Sequence, residues 1–138
     1  MLAALQPQAG EVYCDATFGG GGYTAAILAQ ADCRVIAIDR DPEAIARGAA
    51  LLRDHPGRLT LQQGPFSDLE ALTGEPLDGV VMDIGVSSFQ LDEAHRGFSF
   101  QADGPLDMRM SAEGLSAADA VNGLSEAALV DRLRDYGE

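Results

Sequence analysis

The segment Asp15-Ala16-Thr17-Phe18-Gly19-Gly20-Gly21-Gly22 sets four consecutive glycines between an apolar triplet, Val12-Tyr13-Cys14, and a helix-forming stretch, Tyr23 to Gln30. Adjacent glycines cost conformational entropy and add no packing, so a chain keeps them where its backbone must pass close to something. A strand, a glycine turn and a helix in that order present the first amides of the helix at the strand's end, where an anionic group can sit. Few folds use that arrangement. It belongs to open parallel sheets, whose ligands gather at the carboxyl ends of the strands.

The rest of the first 83 residues repeats the alternation. Arg34-Val35-Ile36-Ala37-Ile38 is apolar without alternating, as in a strand covered on both faces. Asp41-Pro42-Glu43 reads as a helix start, with Asp41 as N-cap and Pro42 at the first helical position. Ala44, Ile45 and Leu52 give that helix an apolar side, and His55-Pro56-Gly57 ends it. Leu59-Thr60-Leu61 is a third strand, and Leu77 to Met82 a fourth, running into Asp83. Strands alternating with helices predict an α/β fold with a parallel sheet and right-handed crossovers. Residues 84–115 are rich in Gly, Ser, Asp and Met without a period, and Ser125 is placed to cap a last helix carrying Leu129, Val130, Leu133 and Tyr136 on one side. A parallel sheet ending on an apolar fourth strand leaves an open edge. Self-association through that edge is expected.

Composition narrows the function. The 138 residues are 46% hydrophobic and 22% charged, the balance of an ordinary globular domain. No apolar run approaches the roughly 18 residues that cross a bilayer, and the first ten residues lack the basic start and apolar stretch of a signal peptide. A cytoplasmic protein with no membrane partner is expected. Cys14 and Cys33 fall in strand-like segments and suit buried thiols of a reducing compartment. The net charge of −13 argues against a domain that binds nucleic acid by itself, since such domains neutralise phosphates with a basic face.

Several residues could carry chemistry. Gly20-x-Gly22-x-x-Ala25 with Asp39 matches the dinucleotide-binding pattern. Asp15, at the strand end before the loop, would repel a pyrophosphate and suit the ammonium group of an amino-acid moiety, whose carboxylate would face the helix N-terminus. S-adenosyl-L-methionine has both groups, and a ribose for Asp39. Phe66, after the third strand, is placed either to stack on a purine or to fill the core. Asp83 closes the fourth strand beside the glycine loop, where a carboxylate without a donor is costly, so a ligand contact is expected. His55 and His95 make no metal-ligand spacing with the cysteines, and no metal is expected. There is no Gly-x-Ser-x-Gly elbow and no phosphate-binding Gly-Lys-Ser/Thr loop.

Together with Asp15–Gly22, the blocks Ala37-Ile38-Asp39-Arg40-Asp41-Pro42, Asp83-Ile84-Gly85-Val86-Ser87-Ser88-x-Gln90-Leu91-Asp92, Arg96-Gly97-Phe98-Ser99-Phe100 and Asp103-Gly104-Pro105-Leu106-Asp107-Met108-Arg109-Met110 resemble the RsmH, or MraW, methyltransferases. The likeness runs from about residue 11 to Tyr136-Gly137-Glu138. It implies a class I, Rossmann-like methyltransferase that moves the methyl of S-adenosyl-L-methionine to the exocyclic N4 of a cytidine in the decoding region of 16S ribosomal RNA, in the small ribosomal subunit. Carried over by motif, Gly21, Gly22 and Tyr23 contact the methionine part, Asp39 the ribose and Phe66 the adenine, while Asp83 and Gln90 complete the pocket. An exocyclic cytosine amine is a poor nucleophile, and Asp83 is the candidate catalytic group that would accept its hydrogens. The Asn/Asp-Pro-Pro-aromatic motif of many amino-methyltransferases is replaced here by Asp83-Ile84-Gly85-Val86.

The chain departs from the family at Tyr23, usually His, and at Phe89, usually Pro. It also lacks the family's N-terminal His-containing segment and is much shorter than its members. The resemblance thus implies a fragment without the C-terminal half: residues 1–110 as a partial, incomplete cofactor-binding domain, and 111–138 as the start of a helical substrate-recognition domain. The fragment is expected to be weak or inactive. Arg96 and Arg109 are the expected RNA-facing residues. Two other readings stay open, an NAD-dependent oxidoreductase domain and an inactive acidic α/β interaction module.

Overall fold

A computed structural model of the chain describes residues 1–111 and 113–137. Ala112 and Glu138, the latter closing the Tyr136-Gly137-Glu138 block, lie outside the described residues. The chain divides into two compact units, Met1–Ser87 and Ser88–Glu138.

The first unit opens with a single turn, α1 (Leu2–Leu5). Strand β1 (Val12–Asp15), helix α2 (Gly22–Gln30) and strand β2 (Arg34–Asp39) follow. Helices α3 (Pro42–Arg47) and α4 (Ala49–Asp54) lead to β3 (Leu59–Gln63), and α5 (Leu69–Thr73) leads to β4 (Gly79–Val81). Among the described residues the strands form one sheet in the order β3-β2-β1-β4, every pair parallel. The α/β expectation is met, in the Rossmann-like order. The central strands explain the unbroken apolar runs, because each has two faces to cover. Tyr13, Val35 and Ala37 point into one core layer with Phe18, Ile27, Leu28 and Ala44. Val12, Cys14, Ile36 and Ile38 point into the other, packed by Leu69, Leu72 and Leu77. Cys14 and Cys33 are both buried free thiols, and burial pushes the Cys14 thiol up to about 11.

Three elements differ from expectation. The helix over residues 42–54 is divided at Gly48, which caps α3 and opens α4. A Cβ at Gly48 would lie 2.7 Å from Leu61 and 2.8 Å from the Phe18 ring, so the backbone there is pressed against the core. The break shifts the inward face: Leu51 packs on the core, while Leu52, expected on the apolar side, is exposed. The start of α3 is as expected, with Asp41 Oδ1 accepting the Glu43 N–H at 3.0 Å and Pro42 at the first helical position. The fourth strand is shorter than Leu77–Met82. Asp78 meets Val12 twice, its N–H donating to the Val12 carbonyl and its carboxylate accepting the Val12 N–H, each at 2.8 Å, and the strand register runs from Gly79. It stops when the Ala16 N–H reaches the Val81 carbonyl.

The second unit contains α6 (Ser88–Asp92), α7 (Ala117–Gly123) and α8 (Glu126–Tyr136). Ser116 and Asp119 form a capping box at α7, and Ser125 caps α8 by accepting the Ala128 N–H. The apolar side expected on α8 is present in sequence, but Val130, Leu133 and Tyr136 are exposed. Among the described residues no helix is long and apolar enough to cross a membrane.

Candidate functional site

From β1 the chain steps outward to β2 and β3, then returns to lay β4 on the opposite side of β1. In open parallel sheets, ligands bind where the winding changes direction, outside the carboxyl ends of the strands, here at β1 and β4. The glycine turn follows β1 and Asp83 follows β4, so both line that switch point.

The backbone amides of the turn can be accounted for one by one. The Phe18 N–H donates to the Ile38 carbonyl at 2.9 Å, and the Gly21 N–H to the Phe18 carbonyl at 2.7 Å. The Gly19 N–H donates to Asp39 Oδ2 at 2.7 Å. The Thr17 and Thr24 amides donate to Asp15 Oδ1 and Oδ2. Among the described residues, no acceptor meets the amides of Gly20, Gly22 and Tyr23, the last two being the first of α2. No side chain caps this helix, whose N-cap is Gly21. Two unclaimed amides at the positive end of a nine-residue helix favour an anion.

Asp15 is fully buried. Its Oδ2 also accepts the Thr24 hydroxyl at 2.7 Å. Burial pushes its carboxyl up, against the pull of the Thr24 and Thr17 hydrogen bonds, and the nearby Asp39 charge adds to the rise. The carboxylate expected to meet an ammonium group is enclosed here, and it holds the two ends of the glycine turn together. Asp39 is half-buried, with Oδ1 accepting the Asp41 N–H at 2.9 Å and Oδ2 the Gly19 amide. It ties the turn to the end of β2 and keeps lone pairs for a hydroxyl ligand.

Asp83 is exposed, not buried at a cost, which removes the desolvation argument made for it from sequence. Its backbone N–H donates to Thr17 Oγ1 at 2.7 Å. Phe66, in a short 3-10 turn after β3, is 46% exposed, which sets aside the core reading. Tyr23 is 37% exposed at the first turn of α2. Gly21 has φ +78°, and a Cβ there would sit 2.8 Å from the Phe18 ring. Gly22 differs: a Cβ would meet nothing within 4 Å.

In the second unit Gln90 is buried on α6. Arg96 is buried too, and its guanidinium donates to the Arg109 carbonyl at 3.1 Å. Arg109 forks onto the Asp107 carboxylate at 2.6 Å, and this pairing, with the Arg109 amide, holds the Asp107 carboxyl down to about 2. Of the two arginines expected to face RNA, Arg96 is packed inside and Arg109 is paired with a carboxylate while still partly exposed. Sequence reading missed Thr17 and Thr24. Their signal is weak, because a hydroxyl beside a glycine run reads as an ordinary turn residue until its partner across the sheet is known.

The strand order and the switch-point turn define a Rossmann-like methyltransferase fold. In keeping with this, the C-terminal domain of precorrin-6Y C5,15-methyltransferase from Rhodobacter capsulatus is similar at TM-score 0.50 and 25% identity, over 71% of this chain and 53% of that one. The chain belongs to the MraW methylase family, which it matches over residues 1–138. Among curated relatives, the ribosomal RNA small subunit methyltransferases H of Gluconobacter oxydans and Parvibaculum lavamentivorans are each 60% identical over 100% of this chain. That of Rhodospirillum rubrum is 58% identical. The chain spans 43%, 42% and 44% of those proteins, less than half of each.

Proposed function

We propose that this chain is the S-adenosyl-L-methionine-binding part of an enzyme that methylates the exocyclic N4 of a cytidine in 16S ribosomal RNA. The observation that carries the cofactor is the pair of unclaimed amides at Gly22 and Tyr23, flanked by Asp39. Gly22 adds to it. With room for a Cβ and no positive φ, the chain itself asks for no glycine there, and a ligand seated on the turn supplies the reason. The amides of the first α2 turn hold the methionine carboxylate, with Gly21, Gly22 and Tyr23 around it. Asp39 accepts from the ribose, and Phe66 covers the adenine face. Asp15 keeps the turn in shape. Gln90 enters by family resemblance. When bound, the cofactor supplies an activated methyl on a sulfonium sulfur, so the protein's task is alignment and exclusion of water. Asp83, open to solvent at the end of the fourth strand, accepts the hydrogens of the target amine and makes its lone pair more available.

The RNA and small-subunit assignment rests on the family and on the relatives' names. Residues 1–110 form the cofactor part and 111–138 begin the substrate part. With a net charge of −13 and both candidate arginines engaged, the main RNA surface is assigned to the part of those relatives that this chain does not span. The reading places the protein in the cytoplasm, with self-association through the β4 edge.

Calorimetric titration with S-adenosyl-L-methionine, beside NAD and an Asp39→Ala control, tests this. Heat with S-adenosyl-L-methionine alone, lost in a folded control, is expected. Heat with NAD alone would put an oxidoreductase in its place, and silence with both ligands would reject a working cofactor site in this chain.

A further inference from the structure

We propose that Thr17 is a positioning residue of the cofactor site: its hydroxyl pins the main chain of Asp83 to the glycine turn. The inference rests on the reading above and adds a residue to it. Thr17 Oγ1 accepts the Asp83 N–H at 2.7 Å, joining residues 66 apart in sequence. The two meet at the switch point, one after β1 and one after β4.

The bond has few substitutes. Among the described residues β4 is three residues long and is paired to β1 alone. Beyond the Val81 carbonyl, which accepts the Ala16 N–H, the Asp83 N–H ties the chain to the turn after β1 through the Thr17 hydroxyl. The stretch from Met82 to Val86 is exposed throughout, so packing does little to hold the Asp83 carboxylate in place. Thr17 itself is anchored independently, through its backbone N–H to Asp15 Oδ1 at 3.3 Å. Asp15 in turn holds Thr24, at the start of α2. One hydroxyl therefore connects the helix that binds the ligand's anionic end to the carboxylate proposed to meet the target amine. Substitution of the side chain leaves the Asp15 anchor in place, because that anchor is backbone, and removes only the pin.

The test uses this chain with Thr17→Val, which keeps the branched shape without the acceptor, and Thr17→Ser, which keeps the acceptor. Thr17→Ala is a second variant without the acceptor, in case valine does not fold. Amide exchange at Asp83 is followed by NMR, and S-adenosyl-L-methionine affinity by calorimetry. A backbone bond of ordinary strength, about 1 kcal/mol, corresponds to exchange at Asp83 about fivefold faster in the valine or alanine chain. Affinity is expected to weaken by a similar factor, and serine is expected to restore both. Unchanged exchange at Asp83, parent-like affinity without the hydroxyl, or failure of serine to restore either would overturn the proposal. If the parent chain itself gives no heat, the cofactor reading falls and takes the affinity claim with it. The exchange measurement then still decides the pin.

Discussion

Gly21 and Gly22 are neighbours with opposite demands. At Gly21 the positive φ and the Phe18 ring both exclude a side chain. Gly21→Ala is expected to cost roughly 1–3 kcal/mol, read as a lower thermal midpoint. Gly22→Ala meets no atom of the chain within 4 Å, and alanine is the better helix former at the start of α2. It should fold at least as stably as the parent while losing heat in the S-adenosyl-L-methionine titration. A stability loss at Gly22 equal to that at Gly21 would remove the argument that its space is kept for a ligand. Two aspartates show opposite pH behaviour. Asp15, raised by burial, contributes most when protonated, so its contribution is present below the ordinary aspartate range and is lost as pH rises through its raised value. Asp107, lowered by Arg109, contributes above the ordinary range and loses that contribution as pH falls through about 2. A carboxyl-carbon NMR titration should find Asp107 titrating near 2, and rising toward the ordinary range in Arg109→Gln. At this scale the positions of Asp15, Asp39, Phe66 and Asp83 were legible, because each ends a strand or follows one. Their exposure was not, since it depends on groups such as Thr24 and Thr17 brought in by the fold.

Among the elements, α2 carries the proposed site and is fastened at both ends. Its start is held through Asp15, and its end by Arg58. The Arg58 guanidinium donates to the Leu28 carbonyl at 2.7 Å, the Ala31 carbonyl at 2.5 Å and the Cys33 carbonyl at 3.1 Å. Those carbonyls lie at the end of α2 and in the turn into β2, where helix oxygens lack partners. Arg58→Ala should lower stability by about 1–3 kcal/mol in denaturant unfolding, and Arg58→Lys should recover only part, since an ammonium has its donors on one nitrogen and does not match carbonyls reached from both Nε and Nη2. Equal stability in all three chains would show that the carbonyls find water instead. Elements of strong pattern were readable: β1, β2 and the Asp41-Pro42 start of α3. The division at Gly48 was not, because a lone glycine in a helical stretch looks tolerable until Leu61 and Phe18 are seen pressing on it.

For the whole chain, charge and the open edge oppose each other. Val80 on β4 and Met82 just beyond it are exposed, and among the described residues β4 pairs to β1 alone. A net charge of −13 keeps copies apart. Screening at about 0.1 M salt acts over roughly 10 Å, so association through the edge should strengthen as salt rises. Sedimentation velocity is expected to give a mass increasing with concentration and with salt, and a clean monomer at every condition would reject the edge as a contact. Apolar periodicity and a run of glycines are local properties of the chain, so fold class, glycine turn and family could be read from the residues, while the strand order that makes the turn a switch point came from the fold. Only the tertiary structure decided which of the site's polar groups remain open. Asp15 is sealed by Thr24, Arg96 is buried and Arg109 is held by Asp107, while the Gly22 and Tyr23 amides stay unclaimed. Hydrogen bonds between residues far apart in sequence exist only once the strands are side by side, and they settle which donors and acceptors are left for a ligand.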